Sequence, residues 1–134
     1  MKVKCRTISR GCAEGEVLIT SDTISFLGNI DPKTGKVMDG NHELFGQSIK
    51  DRVLVFPHGK GSTVGSYVIY QLFKNGVAPA AMINLESEPI VAVGAIISAI
   101  PLVDRLEKDP YSILKNGMSI KVNSSEGYVE VPEG

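Results

Sequence analysis

The stretch RVLVFPHGKGSTVGSYVIYQLFKNG, residues 52–76, constrains the fold more than any other part of the chain. It opens with a β-branched apolar run stopped by Pro57, the pattern of a buried strand. Beyond the glycines, Val64, Val68 and Leu72 recur at helical spacing, with Tyr67, Ile69 and Phe73 beside them. Lys74-Asn75-Gly76 closes that pattern as helices close, with a cation in the last turn and then a glycine for the left-handed cap. A strand–turn–helix at the centre of the chain makes this an α/β fold.

The flanks supply the other elements. Residues 16–20 (EVLIT) read as a strand after a glycine-bearing turn, GCAEG, and residues 25–28 (SFLG) as another. From residue 28 to 46, glycines, Asp31-Pro32 and Asp39-Gly40 punctuate the chain every few positions, which predicts a long turn-rich loop. Such a loop is either functional or a surface meander. Residues 80–85 (AAMINL) form a second core strand. Ser87-Glu88-Pro89 marks a helix start, with Ser87 as cap and proline early. That helix covers residues 90–98 and is buried nearly all round, although its β-branched content also allows a strand. Residues 100–103 (IPLV) are a short strand, and the tail SIKVNSSEGYVEV is a closing hairpin that turns between Asn123 and Gly127. There is no repeat and no linker, so residues 1–134 make one α/β domain with a mixed sheet.

Charge and composition remove several function classes. The formal net charge is −1 with both signs interspersed, and tryptophan is absent, so neither a basic face nor a base-stacking platform for nucleic acid is expected. No apolar run reaches the roughly 20 residues of a membrane helix. The N-terminal MKVKCRTISRG has no apolar core for a signal peptide, and the expectation is a cytoplasmic protein. Cys5 and Cys12 match no C-x-x-C or zinc pattern, and His42 and His58 lie in different segments. The cysteines read as small apolar residues or free thiols, and no metal is expected on this chain alone.

The loop between strand and helix carries the chemistry. A helix start leaves N–H groups without intrahelical partners and adds partial positive charge. Gly59, Gly61 and Gly65 let an anion approach the backbone, and Lys60 adds a full charge. It is not a Walker loop, because Lys60 precedes Gly61 instead of following it. The dinucleotide fingerprint fails by one residue, in Gly59-x-Gly61-x-x-x-Gly65. Ser62 has two readings on the residues alone. It is a helix cap, or it is a hydroxyl whose alkoxide is stabilised by the surrounding N–H donors.

The runs DRVLVFPHGKGSTVGSYVIYQLFKNGVAPAAMIN, EPIVAVGAIISAIPLVD and GNIDPKTGKVMD resemble the small subunit of the aconitase X family, and within it the archaeal branch. The likeness runs from about Gly11 to Val131 and lies in the order of the segments more than in any one motif. It implies the swivelling β/β/α domain found as the C-terminal domain of larger aconitases. It also implies that Ser62, the serine of a G-[KR]-G-S motif, is the catalytic proton acceptor. A large catalytic subunit would supply an iron–sulfur cluster and most of the pocket. In the archaeal branch the reaction is dehydration of (R)-5-phosphomevalonate to trans-anhydromevalonate 5-phosphate, in a modified mevalonate route to isoprenoids.

Residues and resemblance agree on two points. Taking a proton α to a carboxylate while a β-hydroxyl leaves needs a base and a Lewis acid, and this chain offers a base without the thiolates of a cluster. A substrate carrying a carboxylate and a phosphate also suits a helix start beside Lys60. The expected site is therefore Ser62 as base, with Gly59, Lys60, Gly61 and Thr63 against the substrate. His58 is an orienting group or a surface residue, Arg52 is expected in a structural ion pair, and Gly65 is expected to allow close helix packing. Residues 31–42 either close over the joint site or form a surface turn. Two alternatives stand beside this reading. One is a relative acting on hydroxyproline-type acids, against which Thr63 weighs, since those relatives are expected to place cysteine after the motif serine. The other is a non-catalytic anion-binding or assembly module in which Ser62 only caps. A partner-binding face is expected, without a location in the sequence.

Overall fold

The computed structural model describes residues 1–132. In chain order the elements are β1 (Lys2–Lys4), β2 (Arg6–Ser9), β3 (Cys12–Ile19), α1 (Phe26–Asn29), β4 (Val53–Val55), α2 (Gly65–Lys74), β5 (Ala81–Ile83), α3 (Pro89–Ile97), β6 (Leu102–Asp104), α4 (Pro110–Ile113), β7 (Ser119–Asn123) and β8 (Tyr128–Glu130). The strands form one eight-stranded sheet in the order β1-β8-β7-β3-β4-β5-β6-β2. β3, β4, β5 and β6 run parallel, and the remaining pairings are antiparallel. This is the expected mixed sheet.

Register explains why the central strands are apolar throughout. Leu18, Leu54, Met82 and Leu102 lie side by side across four strands and face the helices. Their neighbours Val17, Val53, Ala81 and Val55, Ile83, Val103 face the opposite way. There they pack against Val3, Ile120, Val122 and Val129 from the antiparallel strands. A parallel layer covered on both faces has no room for alternation with polar residues. The result is three layers, β/β/α. Only Cys5 separates β1 from β2, which stand at the two ends of the strand order, so the sheet curls back toward itself. The Cys5 N–H donates to the Gly127 carbonyl and the Ser124 hydroxyl to the Ser9 carbonyl across that closure.

Several expectations change. Residues 25–28 are not a strand but the start of the helical turn α1, because the Gly28 and Asn29 N–H groups donate back to the Ser25 carbonyl. GCAEG is not a turn, since Cys12, Ala13, Glu14 and Gly15 pair with β7 as the first half of a long β3. Glu88, not Ser87, caps α3, accepting from the Ile90 and Val91 N–H groups at 2.8 and 2.7 Å. α3 is a helix, but it is not buried all round, because Val93, Ile96 and Ile97 are about half exposed. Among the described residues Arg52 makes no ion pair, contrary to expectation, and donates instead to the Glu16 and Val17 carbonyls. The turn-rich stretch folds into a packed lobe around Ile30, Val37, Leu44 and Ile49. No helix among the described residues is long and apolar enough to cross a membrane.

Candidate functional site

β4 ends at Val55, and the chain crosses the C-terminal edge of the parallel strands before α2 begins at Gly65. In α/β sheets this edge gathers ligands, because the strands fix the loop ends while the loops stay free of core packing. The crossing loop is clamped from two sides. On one, Ile24 pairs with Gly59 as a parallel bridge, and the Lys60 N–H donates to the Ile24 carbonyl at 3.0 Å. On the other, a methyl group on Gly59 would stand 2.4 Å from Val91 Cγ2 and 2.5 Å from Glu88 Oε1. Gly61 has φ +91°, and a Cβ there would lie 2.6 Å from Ser25 Oγ. Glycine at 59 is therefore demanded by contact, and at 61 by contact and backbone together.

Lys60, Gly61, Ser62 and Thr63 are exposed on this loop, while Gly59 is buried beneath it. The Val64 N–H donates to Ser62 Oγ at 3.2 Å, and the Gly65 N–H to the Ser62 carbonyl at 2.9 Å. Ser62 thus occupies a cap position one turn ahead of α2. Among the described residues, the N–H groups of Gly61, Ser62 and Thr63 donate to no protein acceptor. Unspent donors at a helix start, with a lysine beside them, favour negative charge at this point. The cap and the stabilised alkoxide are compatible geometries of one oxygen. His58 is exposed and its Nδ1 donates to the Gly59 carbonyl at 2.7 Å, so it serves its own loop. Gly65 packs as expected, since a Cβ there would meet Ile90 Cγ2 at 2.9 Å.

The family model for the aconitase X swivel domain matches residues 2–131. The chain belongs to that family. It is 69% identical to the phosphomevalonate dehydratase small subunit of Methanococcoides burtonii, over 98% of this chain and 96% of that one. It is 72% identical to the corresponding subunit of Methanosarcina mazei, over 98% of this chain and 91% of that one. The solved structure of Thermococcus kodakaraensis aconitase X in its holo-form superposes with TM-score 0.93 at 53% identity, covering 99% of both chains.

Two further features of this swivel domain escaped the sequence reading. The first is an ion pair at the end of β6 between a half-exposed arginine and a buried carboxylate. The Arg6 Nε and Nη2 donate to the Asp104 carboxylate at 2.8 and 2.7 Å, and the Ser87 N–H donates to the same group at 2.7 Å. Burial alone would raise the Asp104 pKa, but the hydrogen bonds from Arg6 and Ser87 outweigh it and hold the carboxyl below its ordinary 3.8. Because Ser87 precedes the cap Glu88, this pair anchors the turn that braces Gly59. The second is Ser25, whose place beside Gly61 depends on a contact between segments far apart in sequence. The only local signal for either was an acid at the end of an apolar run, IPLVD.

The swivel domain's residues do not fit an iron–sulfur cluster. Among the described residues no group of three or more His, Cys, Asp or Glu converges. Burial, with the Asp104 charge, pushes the Cys5 thiol up to about 11, leaving it protonated at neutral pH and a poor thiolate ligand.

Proposed function

We propose that this chain is the small subunit of a hydro-lyase that dehydrates (R)-5-phosphomevalonate to trans-anhydromevalonate 5-phosphate. Near-full-length identity to curated phosphomevalonate dehydratase small subunits carries the reading. The enzyme works in the cytoplasm and is completed by a large catalytic subunit, which holds the iron–sulfur cluster.

Ser62 is the base. Its alkoxide takes the C2 proton and becomes a hydroxyl again. The C–H electron pair forms the C2–C3 double bond, and the C3 hydroxyl leaves with its own bonding pair, becoming water with the proton Ser62 gave up on ionising. A serine hydroxyl is far too weak an acid to act this way in water. Here the unspent N–H groups of Ser62 and Thr63 and the charge of Lys60 lower the cost of its anionic form. Gly61 keeps a side chain out of the space beside Ser25, Gly59 acts from beneath by letting the loop pack on Val91 and Glu88, and Lys60 meets the substrate's negative charge together with Thr63.

The test is an anaerobic assay of the assembled two-chain enzyme with phosphomevalonate, beside Ser62→Ala. Turnover that requires both chains and vanishes in the variant is the expected result. No product from an assembled, cluster-loaded complex would sink the substrate assignment.

A further inference from the structure

A three-residue segment beside the serine loop is held by polar groups that add nothing to the apolar core. The Thr23 carbonyl accepts from Nε2 of the buried His42 at 3.1 Å, and Nδ1 of that ring accepts from the Leu44 N–H at 3.1 Å. That pattern makes Nε2 the donor and Nδ1 the acceptor. Ile24 is the rung against Gly59. The Ser25 N–H donates to Oδ1 of the buried Asn29 at 2.8 Å, and Asn29 Nδ2 donates to Asp39 at 2.9 Å, which fixes the amide's orientation. Buried polar side chains are costly unless satisfied. Here His42 and Asn29 are satisfied by positioning residues 23–25.

The Ser25 hydroxyl is what that arrangement presents. It is half-buried and, unlike its own N–H, hydrogen-bonds to nothing among the described residues. Glycines lie on two sides of it, and a Cβ would stand 2.6 Å from Oγ at Gly61 and 3.5 Å from it at Gly28. Ser25 Oγ thus packs on Gly61, the residue that immediately precedes Ser62 and begins the run of unspent N–H groups.

We infer that Ser25 is a second catalytic hydroxyl, donating a hydrogen bond to the substrate carboxylate while Ser62 takes the C2 proton. This assignment rests on the function proposed above. The carboxylate carbon is bonded directly to C2, whereas the phosphate is several bonds away, so a hydroxyl packed on the residue before Ser62 is placed for the carboxylate. As the C2–H bond breaks, its electron pair spreads onto the carboxylate oxygens. A donor at that position therefore gains strength in the transition state.

The experiment compares Ser25→Ala, Ser25→Asp and wild type in the assembled two-chain enzyme, using phosphomevalonate with hydrogen or deuterium at C2. Loss of a hydrogen bond to a charged group corresponds to a roughly ten- to hundredfold fall in kcat/KM for Ser25→Ala. Most of the fall is expected in kcat, with a larger deuterium effect and an unchanged thermal unfolding midpoint. Ser25→Asp, which sets like charges together, is expected to lose more. Wild-type kinetics in Ser25→Ala, with Ser62→Ala inactive, overturn the assignment while the proposed function stands. Equal tolerance of Ser25→Asp would do the same. A wild-type complex that does not turn over phosphomevalonate removes the parent reading and this assignment with it.

Discussion

Two polar regions share the edge of the sheet on either side of the first turn of α3, and they are built on opposite rules. Around Asp104 the carboxylate is fully buried, its oxygens are bonded to Arg6 and Ser87, and the neighbouring Arg105 and Glu86 are paired as well. Around Ser62 the oxygen and its neighbours are exposed, and backbone donors are left without acceptors. A satisfied network holds one geometry and has nothing left to bind with. An unsatisfied loop can bind, but it keeps its shape only because something else holds it. Here that something is the α3 turn, anchored by Asp104 and pressed on Gly59 through Glu88 and Val91. The stable region positions the reactive one.

The sharpest separation of the two regions is expected from Ser62→Ala. Dehydration should fall by about a thousandfold or more, as for loss of a general base, while stability changes by no more than the ~1 kcal/mol of a cap. A variant that unfolds and remains active when refolded would reverse the comparison.

Asp104→Ala should do the converse. Removing the carboxylate leaves the half-exposed Arg6 to water but the Ser87 N–H without its acceptor, at a cost of about 1–3 kcal/mol in denaturant titration, with kcat falling far less than in Ser62→Ala as the α3 turn loosens. The acid limb of stability carries the same signature. Because the folded pKa of Asp104 lies below 3.8, its contribution is complete above that value and is lost as pH falls through the folded pKa. Asp104→Asn should flatten stability against pH in that range, and an unchanged profile would show that the carboxylate is not the group responsible.

Gly59→Ala tests the brace between the regions. The added methyl meets Val91 and Glu88, and overpacking of this kind costs about 1–3 kcal/mol while displacing the serine loop. Both stability and kcat should drop, and adding Val91→Ala should restore part of each. Failure of that rescue would argue that Gly59 matters only to substrate. The smallest expected effect is that of Glu88→Ala, which removes the α3 cap at a cost of about 1 kcal/mol, readable as a shifted unfolding midpoint.

Local pattern was a good guide wherever a residue's role depended on its near neighbours. The strand at Val53, the helix from Gly65 to the Gly76 cap, the closing hairpin and the exposure of Ser62 all follow from runs, periods and turn residues within a few positions. Pattern misled where tertiary contacts took over. β1 and β2 are only three and four residues long and are strands because distant partners, β8 and β6, pair with them. The stretch from Cys12 to Gly15 carries a glycine and acids that read as a turn, yet β7 holds it extended. Ser25 opened what read as a strand over residues 25–28, but the chain turns into α1 and Asn29 accepts from the Ser25 N–H.

The sequence by itself determined that this chain is an α/β domain, that a glycine-rich loop joins a buried strand to a helix, and that Ser62 sits among backbone donors. Those properties are short-range, set by steric freedom, hydrophobic period and helix-end chemistry. Only the tertiary structure decided which residues surround that serine. Ser25 lies 37 positions before Ser62, and Glu88 lies 26 after it. They reach the loop only because parallel strands bring their ends to one edge, and no local pattern encodes that approach.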